Sequence, residues 1–139
     1  MPTSIERLKL FSDKTRLRIL LVLNKGELCV CQIMGVLGIS QPLVSRNLAI
    51  LAKSGILKER RAGKLIYYSL NDDMSRYYRE LLNIVIEMAE EDEPFMSDLE
   101  SLQDCRDFES REGRCDMKTY RKFIEERSKR QFKHRRRNS

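Results

Sequence analysis

The run Ser40-Gln41-Pro42-Leu43-Val44-Ser45-Arg46-Asn47-Leu48-Ala49-Ile50-Leu51 decides the fold. A hydroxyl residue, an amide and a proline in succession form a helix start. Ser40 or Gln41 supplies the cap, and Pro42 falls in the first turn, where a missing N–H costs no hydrogen bond. Leu43, Val44, Leu48 and Leu51 recur at helical spacing and are expected to face inward. Gln41, Ser45, Arg46 and Asn47 are then left pointing mostly outward. Amide, hydroxyl and guanidinium groups pack poorly in a core but match the donors and acceptors of base edges and phosphates. Upstream, Gly38-Ile39-Ser40 reads as a turn, and residues 28–36 read as a short preceding helix. Two helices so joined, the second so decorated, have the form of a helix-turn-helix for double-stranded DNA, with Ser40, Gln41, Ser45, Arg46 and Asn47 as candidate contacts.

Downstream, Lys53-Ser54-Gly55 stops the helix. Residues 56–61 and 64–70 then alternate as two strands around an Ala62-Gly63 turn. Arg60, Arg61 and Lys64 sit near the tip of this hairpin, suited to phosphate or minor-groove contact. Ser4 is placed to cap a first amphipathic helix, and Asp13 a second carrying Leu17, Leu20, Leu21 and Val22. The expected fold is mainly α with a small β-hairpin wing: a winged helix-turn-helix.

Length and charge agree with this reading. A chain of 139 residues supports one domain with a modest core. Its net charge of +6 favours a polyanionic partner. Much of that charge lies in Arg127, Lys129, Arg130, Lys133, Arg135, Arg136 and Arg137, a basic run without an acid that reads as a solvated tail. The expected division is 1–93 for the winged-helix domain with a further apolar helix, and 94–139 for a C-terminal extension ending in that tail. No apolar run reaches the roughly 20 residues that span a bilayer, and Met1-Pro2-Thr3-Ser4 does not open a signal peptide. The expected location is the cytoplasm, with no membrane partner. No nucleophile is paired with a base and no Gly-rich phosphate loop occurs, so an enzyme is not expected.

Two features remain. Residues 74–91 form a helix whose apolar face, with Tyr77, Leu81, Ile84, Val85 and Met88, is wider than one small domain needs. Cys29-Val30-Cys31 lies just ahead of the DNA-reading helix, and thiolates bind soft or borderline cations.

Glu27-Leu28-Cys29-Val30-Cys31, the Ser40–Leu51 run, Gly55-Ile56-Leu57 and Arg61-Ala62-Gly63-Lys64 together resemble the ArsR-type family of arsenical-resistance repressors, over roughly residues 5–88. The resemblance implies a homodimer joined through terminal helices, with residues 77–88 as the seam. It also implies operator binding without metal and release when metal binds. Cys29 and Cys31 would be ligands, and Gln41, Ser45 and Arg46 DNA contacts. The chain departs from family patterns in four places. Gln32-Ile33-Met34 stands where arsenite-responsive members often place a third cysteine. Gln32 replaces the Asp of cadmium- and lead-responsive members. The single histidine, His134, lies in the tail rather than on the dimer helix, and Asn47 stands where many relatives have His.

Trivalent arsenic or antimony, the expected inducer, prefers three thiolates, and no permanent cofactor is expected. Cys105 and Cys115 are the remaining thiols. On an unbroken helix they would stand about 15 Å apart, so either one completes the site, in cis or across the dimer, or a break at Gly113 lets both approach. A two-thiolate site finished by water or a small thiol is the alternative. Were Cys29 and Cys31 both on an ideal helix, they would project about 200° apart, and one ion could join them only by unwinding that turn. The expected activity is metalloid-responsive repression. The rivals are a thiol- or oxidant-sensing repressor and one responding to cadmium or lead through the same cysteines.

Overall fold

The computed structural model describes residues 2–93, 95–113 and 121–129. Cys115, His134 and the basic run beyond Lys129 lie outside them. Helix α1 (Ser4–Leu10) is capped one residue earlier than expected: Thr3 accepts from the Glu6 N–H, and the Glu6 carboxylate accepts from the Thr3 N–H. Helix α2 (Lys14–Leu23) starts where Asp13 accepts the Arg16 N–H at 2.9 Å. The helix expected to read DNA is α4 (Gln41–Lys53), with Ser40 as its N-cap and Pro42 in its first turn. It follows α3 (Val30–Leu37) through Gly38, whose φ of 67° is the left-handed conformation that ends helices most cheaply with glycine.

The wing is present as β2 (Leu57–Ala62) and β3 (Leu65–Leu70), antiparallel, with Ala62 opposite Leu65 and Gly63 at φ 61° in the turn. A third strand was not expected. Leu28–Cys29 forms β1, which pairs antiparallel with β3 in the order β1-β3-β2, placing Cys29 opposite Tyr67. Cys29 is therefore not in the helix assigned to residues 28–36. It is the N-cap of α3, in extended conformation, and only Cys31 is helical.

The core joins Ile19, Leu20 and Val22 of α2, Ile33 of α3, and Val44, Leu48 and Leu51 of α4. Helix α5 (Arg76–Ala89) begins at Ser75, whose side chain accepts from Tyr78 N–H. It buries Tyr78 and Leu82 and leaves Tyr77, Ile84 and Met88 exposed, with Leu81 and Val85 half-buried. Helix α1 lies alongside, with Phe11 against Tyr78 and Arg7 over Tyr77, and adds exposed Ile5 and Leu8 to the same apolar face.

Helix α6 (Phe95–Glu112) packs on α2 and α3. Its buried residues are Asp98, Ser101, Leu102, Cys105 and Phe108, a stripe at helical spacing with two polar members. Residues 121–129 are helical, and Phe123 packs on Phe108 with ring centroids 5.4 Å apart. No described helix is long and apolar enough to cross a membrane.

Candidate functional site

On the first half of α4, Gln41, Ser45 and Arg46 are exposed and, among the described residues, have no internal side-chain partner. Ser40 is exposed too, and its hydroxyl makes no capping bond. Asn47 departs from the expected outward face. It is 3% exposed; its amide nitrogen donates to Leu43 O at 2.9 Å, and its carbonyl accepts from Arg16 at 3.3 Å. Position 47 follows Leu43 by four and Val44 by three, so it belongs to the inward stripe. Asn47 holds α4 to α2 and is not available to a base edge.

In the wing, Arg61 and Lys64 are exposed near the turn. Arg60 is committed differently. Its guanidinium holds Glu27 through Nε at 3.1 Å and Nη2 at 2.6 Å, and lies 4.7 Å over the Tyr67 ring. This ion pair holds the Glu27 carboxyl below its ordinary pKa. It ties the segment leading into the cysteine pair to the wing.

Around the cysteine pair, Cys29 is extended at the strand end and Cys31 lies in the first turn of α3, so the 200° projection of an ideal helix does not apply to them. Gln32 fixes this junction. Its side-chain carbonyl accepts the Cys29 N–H at 2.8 Å, and its amide donates to Glu109 of α6 at 2.7 Å. Glu109 also accepts from the Cys105 thiol at 3.6 Å. Burial first, then the Glu109 carboxylate and the neighbouring Cys29 thiol, push the Cys105 pKa above the usual thiol range, with a small opposing pull from Arg106. Cys29 and Cys105 are each 1% exposed and Cys31 8%. Thus α6 carries Cys105 to the β1–α3 junction. Among the described residues, no three His, Cys, Asp or Glu side chains already form a group able to hold a metal ion. Of the three thiols, Cys29 and Cys105 lie near enough to interact electrostatically.

Gln32, Glu109, Arg18, Asp98 and Ser101 were not singled out as functional from the sequence. For Gln32 a signal existed: an amide three residues after a helix N-cap is the second half of a capping box. For Asp98 and Ser101 the signal was their spacing from Cys105 by seven and four.

Comparison with known proteins adds the following. The profile described as "Bacterial regulatory protein, arsR family" matches residues 13–59. The arsenic resistance transcriptional regulator ArsR2 of Pseudomonas putida is 42% identical over 88 residues, covering 63% of this chain and 76% of that protein. Among solved structures, the AntR antimony-specific transcriptional repressor is similar with TM-score 0.50 and 31% identity, over 65% of this chain and 87% of that one. The homodimeric winged helix-turn-helix DNA-binding domain of a possible ArsR-family regulator from Mycobacterium bovis is similar with TM-score 0.51 and 29% identity, over 61% of this chain and 76% of that one.

Proposed function

The chain belongs to the ArsR family of bacterial regulatory proteins, DNA-binding transcriptional regulators rather than enzymes, and from that premise we propose a homodimeric repressor released from its operator by trivalent arsenic or antimony. Gln41, Ser45 and Arg46, with Ser40 at the helix start, enter the major groove, while Arg61 and Lys64 contact phosphate. The exposed face of α5, with Tyr77, Ile84 and Met88 and the flanking Leu81 and Val85, joins the α1 face as the dimer seam. The winged-helix domain, 1–93, carries both; the extension, 94–139, supplies the inducer's last ligand, and its basic tail adds sequence-independent phosphate attraction.

One observation carries the inducer reading: α6 buries Cys105 against the junction that holds Cys29 and Cys31. Three thiols satisfy a trivalent metalloid, whereas the cysteine pair alone supplies two. Each thiol displaces one hydroxide from the trihydroxy acid, its proton leaving with that hydroxide as water. Three waters are released and no electron is transferred. Oxidant sensing is the weaker reading, since oxidation selects exposed thiols, and Cys29, Cys31 and Cys105 are all buried.

The test is an operator mobility shift titrated with arsenite, antimonite, cadmium, lead, zinc and peroxide, on wild type and on Cys29→Ser, Cys31→Ser, Cys105→Ser and Cys115→Ser. Release by arsenite or antimonite that survives only in Cys115→Ser is the expected pattern. Release retained in Cys105→Ser but lost in Cys115→Ser moves the third ligand to Cys115. Release by peroxide at lower dose than by any ion overturns the metalloid reading.

A further inference from the structure

Helix α6 grips both ends of α3. At the N-terminal end lie Cys105 and Glu109, with Gln32 between Glu109 and the Cys29 backbone. At the C-terminal end, the Ser101 hydroxyl donates to Val36 O at 2.6 Å. Asp98 receives Arg18 through Nε at 2.8 Å and Nη2 at 2.9 Å, and the same Nη2 donates to Leu37 O at 2.9 Å. Val36 and Leu37 are in the last turn of α3, where helix carbonyls lack intrahelical donors. The next three residues, Gly38, Ile39 and Ser40, are the whole connection to α4. Asp98, Ser101, Cys105 and Glu109 follow one another at intervals of three or four on α6, so they share one face of a rigid rod.

We infer that α6 is the transmission element of the switch, and that Asp98 and Ser101 are the residues through which ligand capture at Cys105 reaches the recognition helix. This rests on the metalloid reading above. Cys29 is anchored by β1–β3 pairing, so drawing the three thiols together moves Cys105 and with it α6. One to two turns away, Ser101 and the Arg18–Asp98 pair carry that motion to the Val36 and Leu37 carbonyls, and so to the turn that sets the pose of α4. An Arg–Asp pair with the carboxylate buried and the guanidinium partly so is a costly way to fasten a helix for stability alone, since apolar residues of similar volume often serve as well. Its single hydrogen bond to the Leu37 carbonyl specifies position.

The experiment uses the full chain carrying Ser101→Ala or Asp98→Asn. It measures operator affinity by fluorescence anisotropy with and without saturating arsenite, arsenite affinity from the sulfur-to-arsenic absorption band with and without operator, and thermal midpoint. In a coupled system arsenite weakens operator binding by the same factor as operator weakens arsenite binding. Both variants are expected to keep the absorption band and arsenite-free operator affinity near wild type. The coupling factor should shrink about 3- to 30-fold, in both directions of the cycle. If Asp98→Asn loses its fold, Ser101→Ala, which deletes one hydroxyl, decides alone. A purely structural role lowers the thermal midpoint and leaves the coupling factor intact, which overturns the inference. Absence of the absorption band in wild type overturns the metalloid reading, and this inference with it.

Discussion

On the face made by α4 and the wing, Gln41, Ser45, Arg46, Arg61 and Lys64 reach solvent with no internal side-chain partner among the described residues. On the face where α6 meets α3, Gln32, Asp98, Ser101 and Glu109 are each bonded to another part of the chain. Both faces are polar, yet one leaves its donors for something outside the molecule while the other spends them on fixing one helix against another. Recognition asks for side chains that can reach and adjust; transmission asks for side chains whose displacement must move the backbone they hold. The Arg60–Glu27 pair stands between the two kinds, a wing guanidinium already tied to the approach of the cysteine pair.

Substitutions on the two faces should therefore separate stability from affinity. The largest effect is expected for Phe108→Ala on α6, whose ring is buried against Phe123. It should cost about 3–5 kcal/mol of unfolding free energy in a urea titration; a loss below about 1 kcal/mol would mean that α6 is not part of the cooperative fold. Arg46→Ala should weaken operator binding by about 1–3 kcal/mol in anisotropy while leaving the thermal midpoint unchanged. An unchanged affinity would remove Arg46 from the interface. Asn47→Ala tests the boundary between the faces. Losing the bonds to Leu43 and Arg16 should cost about 1–2 kcal/mol of stability with little change in base preference. Altered preference with full stability would return Asn47 to the outward set. The smallest effect is Lys64→Ala, expected to reduce the slope of log affinity against log salt by about 1 without changing sequence preference.

The recognition half of the molecule was legible in the sequence because its signals are local. Pro42 marks the helix start, Leu48 and Leu51 its inward face, and Gly63 the hairpin turn. Where reading failed, the cause was distant. The two-residue strand at Leu28–Cys29 exists only because Tyr67 and Tyr68, some forty residues downstream, pair with it; locally, residues 28–37 are apolar enough to extend the helix through Cys29. Asn47 was assigned by chemistry when its register pointed inward. The apolar residues of α6 are sparse, since Asp98 and Ser101 occupy stripe positions that a plain amphipathic helix would give to leucine. Their partners, Arg18 and the Val36 carbonyl, lie 80 and 65 residues away, a separation no local pattern encodes.

The central claim is that Cys29, Cys31 and Cys105 hold one metalloid together. X-ray absorption at the arsenic edge on the full chain loaded with one equivalent of arsenite tests it most directly, run on wild type and on Cys105→Ser. Three sulfur neighbours per arsenic in wild type, and two sulfurs with an oxygen in Cys105→Ser, is the result this account predicts. Three sulfurs in both proteins, or an oxygen already bound in wild type, would contradict it.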